Sequence, residues 1–174
     1  HGGSTGGLRE GKGTTFEGGQ RVPFIARMPG RIPAGKVSEQ FLSALDITPT
    51  IVELTGSQMP RMNEFDGENV WMTLTGQAQS HKPFYFLYDG KVEAVRDGKW
   101  KCVAPHEYRI VTEPGKDGLP VVQLARGGKT GLALFDLEKD PEETVDLVGQ
   151  YPEIAQKMAA MMNDFQVKMA ECIQ

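Results

Sequence analysis

Residues 152–173 place the strongest constraint on the fold. Ile154, Met158, Met161, Phe165 and Met169 recur at steps of four, three, four and four, with Met162 and Cys172 beside the line. That is the period of one helix face. An apolar stripe of this length needs a surface to lie on. A methionine-rich stripe also suits a peptide groove, but a sheet to pack against is visible upstream. Residues 84–88 (FYFLY), 92–96 and 100–104 read as three strands, with Asp97-Gly98 as a hairpin signal between the last two. After a loop over 113–118, residues 121–125 and 132–137 add two strand candidates, parted by the turn-like RGGKTG. The second half is therefore predicted to be mostly antiparallel sheet with one long helix on it.

The first half has a different texture. Eight of the first twenty residues are glycine, which predicts loop. Residues 22–28 (VPFIARM) are a continuous apolar run of the kind found in a strand buried on both faces, and Pro29-Gly30 ends it. Residues 38–45 fit either helix or strand. Over 49–55 a short helix is expected, with Thr48 as its cap, Pro49 in its first turn and Gly56 just past its end. Residues 57–82 read as loop with one helical turn over 69–74.

At 174 residues the chain has room for one ordinary domain, or one and a half small ones. Its net charge of −4 argues against a nucleic-acid binder, which needs a basic face for phosphates. No window has the apolar length of a membrane span. Cys102 and Cys172 are far apart and read as two unpaired thiols. His1, His81 and His106 are scattered, and no Cys/His cluster has metal-site spacing. A chain opening on His1 and a bare glycine loop is expected to be a piece of a longer protein, or one that has lost upstream residues.

Among the glycines stands Lys12. An ammonium supplies charge to an anion, and glycine-flanked backbone N–H groups supply directed donors. The run from Gly6 to Lys12 follows the phosphate-loop spacing, but position 13 is Gly rather than Ser or Thr, and no helix pattern follows. From the residues alone, Lys12 is either an anion contact or a solvated loop lysine.

Five ordered blocks then carry a resemblance. GKGTTFEGGQRVPFIARMPGRIPAG (11–35), SALDITPTIVELTG (43–56), FDGENVWMTLTG (65–76), VEAVRDGKWK (92–101) and LFDLEKDPEETVDL (134–147) resemble the C-terminal part of type I, formylglycine-dependent sulfatases of the arylsulfatase family, in the alkaline phosphatase superfamily. The fold class this implies is α/β and α+β. Residues 1–80 are expected to be the end of the large α/β catalytic domain. Residues 81–174 are expected to form a small antiparallel four-stranded sheet with the long helix packed on it.

The resemblance implies that Lys12 contacts the sulfate and the leaving-group oxygen, where a fixed ammonium offsets developing charge. His106, after the 100–104 strand, is the candidate for a second substrate contact, beside its plain reading as a surface histidine. Glu17 and Arg21 match the motif and are expected to hold the loop in shape as an ion pair. The parent family uses calcium and a formylglycine made from a C/S-x-P-x-R motif. That motif is absent from these 174 residues, and no metal ligand carries over. The chain is thus expected to be inactive alone, with a missing N-terminal domain and a sulfate ester as partners. Residues 1–80 are expected to expose apolar surface and to be disordered, re-packed on the small domain or paired with another copy, for which the 22–28 strand is a template. A second reading is a stand-alone module holding anions or sulfated glycans through Lys12, Arg9 and Arg21. A third is a phosphate or phosphonate ester hydrolase of the same superfamily.

Overall fold

The computed structural model describes residues 4–58, 66–113 and 123–172, and the chain divides into two compact units, His1–Val22 with Pro83–Gln174, and Pro23–Lys82. The expected 113–118 loop lies almost wholly outside the described residues, as do the first two residues of the 121–125 strand.

In the first unit, β1 (Phe84–Tyr88), β2 (Lys91–Asp97), β3 (Trp100–Val103) and β6 (Ala133–Asp136) form an antiparallel sheet in the order β1-β2-β3-β6. Gly98, at φ +57, makes the expected β2–β3 hairpin turn. Strand alternation sorts the side chains onto two faces. Tyr85, Val95, Cys102 and Leu134 lie in register on one. There they meet α4 (Pro152–Cys172) through Ala155, Met158 and Met162. The helix thus packs on the sheet as its periodicity predicts, with its deepest line one step round from the expected stripe. Ile154 and Met161 flank it, and Phe165 stacks on Tyr85 at 4.0 Å. Gln166 fastens the helix to the β1–β2 turn, accepting from Val92 N at 2.8 Å and donating to Gly90 O.

The other face carries Phe86, Ala94, Val103, Ala133 and Phe135, and what covers it is the glycine-rich loop, through Phe16. Within that loop α1 (Glu17–Gln20) makes a single helical turn where the glycine content predicted plain loop.

A second, two-stranded ribbon joins β4 (His106–Glu113) to β5 (Gln123–Thr130). It corrects the reading of two segments. RGGKTG is strand through Thr130 rather than turn, and His106 opens a strand rather than sitting in a loop. Gly127, at φ +101, is the extra residue of a bulge: Tyr108 pairs with Gly128 and Arg109 with Arg126, leaving Gly127 without a partner.

In the second unit, α2 (Ile47–Thr55) ends at Gly56 with φ +63, as expected, but starts earlier than the 49–55 reading. Thr48 is not its cap. The chain enters through a 3-10 turn, Ala44–Asp46, capped by Ser43, and Asp46 closes the box by accepting from Ser43 N at 2.7 Å. α3 (Trp71–Leu74) is the single turn foreseen. His81 is half-buried, with Nε2 at 3.1 Å from Asp46 Oδ2 and Nδ1 at 3.3 Å from Glu68 Oε2.

Residues 22–28 are not a strand. Among the described residues no segment pairs with them, and a strand exists only through its partner's ladder. Val22 is 77% exposed and Ile25 92%, with Phe24 and Met28 also at the surface, so apolar side chains are bared as expected. No helix among the described residues is long and apolar enough to cross a membrane.

Candidate anion-binding loop

The glycine-rich loop is held down by side chains of opposite character. Phe16 is 0% exposed and fills the sheet face, with Tyr108 edge-on to it at 4.9 Å. The Arg9 guanidinium covers its other side at 4.0 Å, donating also to Glu143 O and Tyr108 Oη. Glu10 Oε2 accepts from Val111 N at 2.7 Å, and Thr15 Oγ1 donates to Glu93 Oε2 at 3.2 Å. The turn over Glu17–Gln20 brings the chain back across its own start, with Gly18 N donating to Arg9 O at 2.9 Å. A Cβ at Gly18 would stand 2.4 Å from Arg9 O, and one at Gly19 2.4 Å from Thr14 O, so these two positions are glycine for lack of space.

Beneath the loop lies a charged cluster. Lys101 projects from β3, 0% exposed, with Nζ at 2.9 Å from both Glu17 Oε1 and Glu143 Oε1. Glu17 Oε2 takes Arg21 Nε at 2.8 Å, which is the expected ion pair, and Glu143 Oε2 accepts from Glu17 N at 2.7 Å. Burial opposes ionisation of Glu17, but Lys101, helped by Arg21 and Arg96, holds its carboxyl below the usual range. For Glu143 burial prevails over Lys101 and pushes the carboxyl up. The cation and two carboxylates come from three distant stretches of chain, and nothing in their spacing announced them.

Lys12 sits at the tip of this buttressed loop, between Gly11 and Gly13, and is exposed. Arg9 and Arg21, which the binding-module reading enlisted beside it, are engaged in the internal contacts above. His106 is not an open surface histidine. Its Nδ1 lies 2.8 Å from Ala104 O, and its Nε2 faces Glu93 Oε2 at 3.4 Å, within ion-pair reach but without a hydrogen bond. A carbonyl only accepts, so Nδ1 carries the proton. Burial raises the carboxyl pKa of Glu93 against the opposing pull of His106. Gly13, the residue after Lys12, lines a cleft of about 200 Å³ with Tyr88, Glu93, Glu107, Tyr108, Arg109, Arg126 and Gly127; Lys12 and His106 are not among its lining residues.

Among the described residues no group of three or more His, Cys, Asp or Glu side chains could hold a metal ion. Cys102 is buried against α4, where burial pushes its thiol up to about 11, and Cys172 is exposed near the end of that helix. Neither lies in a C-x-P-x-R sequence.

A sheet sandwiched between a long helix and a glycine-rich loop is an architecture shared with sulfatases. The crystal structure of PsFucS1 sulfatase from Pseudoalteromonas sp. superposes with a TM-score of 0.70 over 97% of this chain and 36% of that one, at 24% identity, which shows the fold. Residues 11–168 match the family described as N-sulphoglucosamine sulphohydrolase, C-terminal, and the chain belongs to that family of sulfatase C-terminal regions. It is 33% identical to arylsulfatase A of Bos taurus over 98% of this chain and 34% of that protein. It is 32% identical to N-acetylgalactosamine-6-sulfatase of Canis lupus familiaris over 95% of this chain and 34% of that protein. The chain thus spans about a third of the length of these relatives.

Proposed function

We propose that this chain is the C-terminal portion of an enzyme hydrolysing sulfate esters, and that Lys12 is its contact to the sulfate and the departing oxygen. The observation that carries the reading is the placement of Lys12, exposed in a loop whose residues Thr14 to Glu17 are buried. The buried flank holds the backbone from which Lys12 projects, and a cation placed there offsets charge that develops on an ester oxygen. His106, oriented by Ala104 O and Glu93, is the second substrate contact in this reading.

The nucleophile and a divalent cation, calcium in the family resembled, would come from residues outside these 174, an N-terminal catalytic domain being the natural source. The chain by itself is then inactive. The exposed run 22–28 would take a neighbouring strand in the whole protein and pair between copies in the isolated chain.

The test is direct. The 174-residue chain is assayed with 4-nitrophenyl sulfate, with and without calcium, and titrated calorimetrically with glucose 6-sulfate. No turnover is expected, together with weak sugar-sulfate binding that Lys12→Ala removes. Turnover by the chain alone would overturn the division of labour, and binding indifferent to Lys12→Ala would overturn the role of Lys12.

A further inference from the structure

The cleft lined by Gly13, the residue after Lys12, contains two cations that the sulfate contact does not use. Arg109 and Arg126 are directly opposite each other on β4 and β5, and both are exposed. Like charges in that position repel and destabilise a ribbon. The ribbon goes out of its way to create the pairing. Without the bulge at Gly127, Arg109 would face glycine; with it, Arg109 faces Arg126. Bulges re-aim side chains beside binding sites. Among the described residues neither arginine has a carboxylate partner: Glu107 is taken by Lys129 at 2.8 Å, and Glu93 by Thr15 and His106.

Around the arginines the lining is of a particular kind. Tyr88 and Tyr108 offer an apolar ring with a polar tip, suited to the mixed faces of a sugar ring. Tyr108 is fixed in place by Phe16 and by Arg9, and it lies over Gly128, where a Cβ would come within 2.8 Å of its ring. The cleft is thus rigid on its Tyr108 side and doubly cationic on its ribbon side.

We infer that Arg109 and Arg126 form a subsite for a second anionic group on a saccharide whose sulfate ester is held at Lys12, so that the ligand is a carbohydrate bearing more than one anionic group. The inference rests on the reading of Lys12 given above for the position of the first sulfate. The bidentate fork of each guanidinium matches a sulfate or carboxylate, and two forks side by side outmatch one charge.

Calorimetric titration of the 174-residue chain with sucrose octasulfate, glucose 6-sulfate and inorganic sulfate at matched ionic strength tests this. Sucrose octasulfate is expected to bind at least about tenfold more tightly than glucose 6-sulfate, since each charged hydrogen bond gained is worth about that factor. The double variant Arg109→Ala/Arg126→Ala should lose that gain while glucose 6-sulfate binding is unchanged. Its melting temperature should hold or rise, because a repulsion has been removed. The inference is overturned if the double variant keeps the gain, if inorganic sulfate binds as tightly as the polysulfated sugar, or if the variant melts lower than the parent chain, which would make the arginines structural. Failure of the Lys12 reading looks different: Lys12→Ala would leave glucose 6-sulfate binding intact while the arginine variant still weakens sucrose octasulfate.

Discussion

Glu17 and Lys101, 84 residues apart in sequence, meet at 2.9 Å with the lysine wholly buried. The contact ties the glycine-rich loop to β3, one of the two interior strands of the four-stranded sheet. It also completes a three-member cluster, because Glu143 approaches the same ammonium at 2.9 Å.

Lys101→Met would leave two buried carboxylates with no cation between them. A loss of about 3–5 kcal/mol at neutral pH is expected, since breaking a buried pair strands the remaining charge. The pH dependence has a definite sign. In the parent chain the Glu17 pKa is depressed, so its contribution is present above the ordinary glutamate range and is lost as pH falls through the depressed value. In the variant both carboxyls take up protons more readily, so the gap between the two proteins should narrow on acidification. Urea denaturation at pH 7 and pH 4 measures this, and a gap that widens at pH 4 would contradict the assignment.

Gly18→Ala should loosen the loop at its root. The added carbon would meet three backbone carbonyls, those of Leu8, Arg9 and Glu10, at 2.4–2.9 Å. Backbone cannot step aside as a side chain can, so a cost of about 1–3 kcal/mol is expected. Hydrogen exchange at the Gly18 amide, which bonds to Arg9 O, should speed up in the variant.

The two thiols should differ sharply in reactivity. Cys102 lies between sheet and helix, and burial pushes its thiol to about 11, so at neutral pH it is neither ionised nor reachable. Cys172 is exposed. An aromatic disulfide reagent should titrate one thiol at once and the second only on unfolding. Two fast equivalents would mean that α4 does not cover Cys102 in solution.

Asp46→Ala should weaken the Pro23–Lys82 unit by about 2–3 kcal/mol, because two backbone donors, Ser43 N and Glu68 N, lose their acceptor. His81 loses one of its two carboxylate contacts in the same step, keeping Glu68. Hydrogen exchange at Ser43 and Glu68 reads the effect locally.

What the sequence disclosed divides along physical lines. The 152–172 helix and strands β1 to β3 and β6 were legible because each carries its own period or turn signal over several residues. Strand β4 was missed even though Glu107, Tyr108, Arg109 and Ile110 alternate, and β5 was cut short because Gly127-Gly128 reads as a turn. In the structure those glycines are the bulge and the floor under Tyr108. The apolar run 22–28 reads as a strand, yet strand formation is a property of two segments, and its side chains stand in solvent. Lys12 was singled out by its glycines and its motif. The Glu17–Lys101–Glu143 cluster that supports it was invisible, since its members share no local pattern. His106 showed itself only as a residue; Ala104 O and Glu93, which orient it, come from the chain just before it and from the neighbouring strand.

Because side chains alternate along β3, Lys101 and Cys102 point to opposite faces, one toward two carboxylates and the other toward Met158 and Met162. A slip of one residue in that strand would carry the ammonium into the methionines and leave both glutamates facing sulfur and hydrocarbon. Misaligned hairpins are therefore penalised on both sides of the sheet at once. The buried ions thus make the one-step error costlier than it would be in a purely apolar sheet.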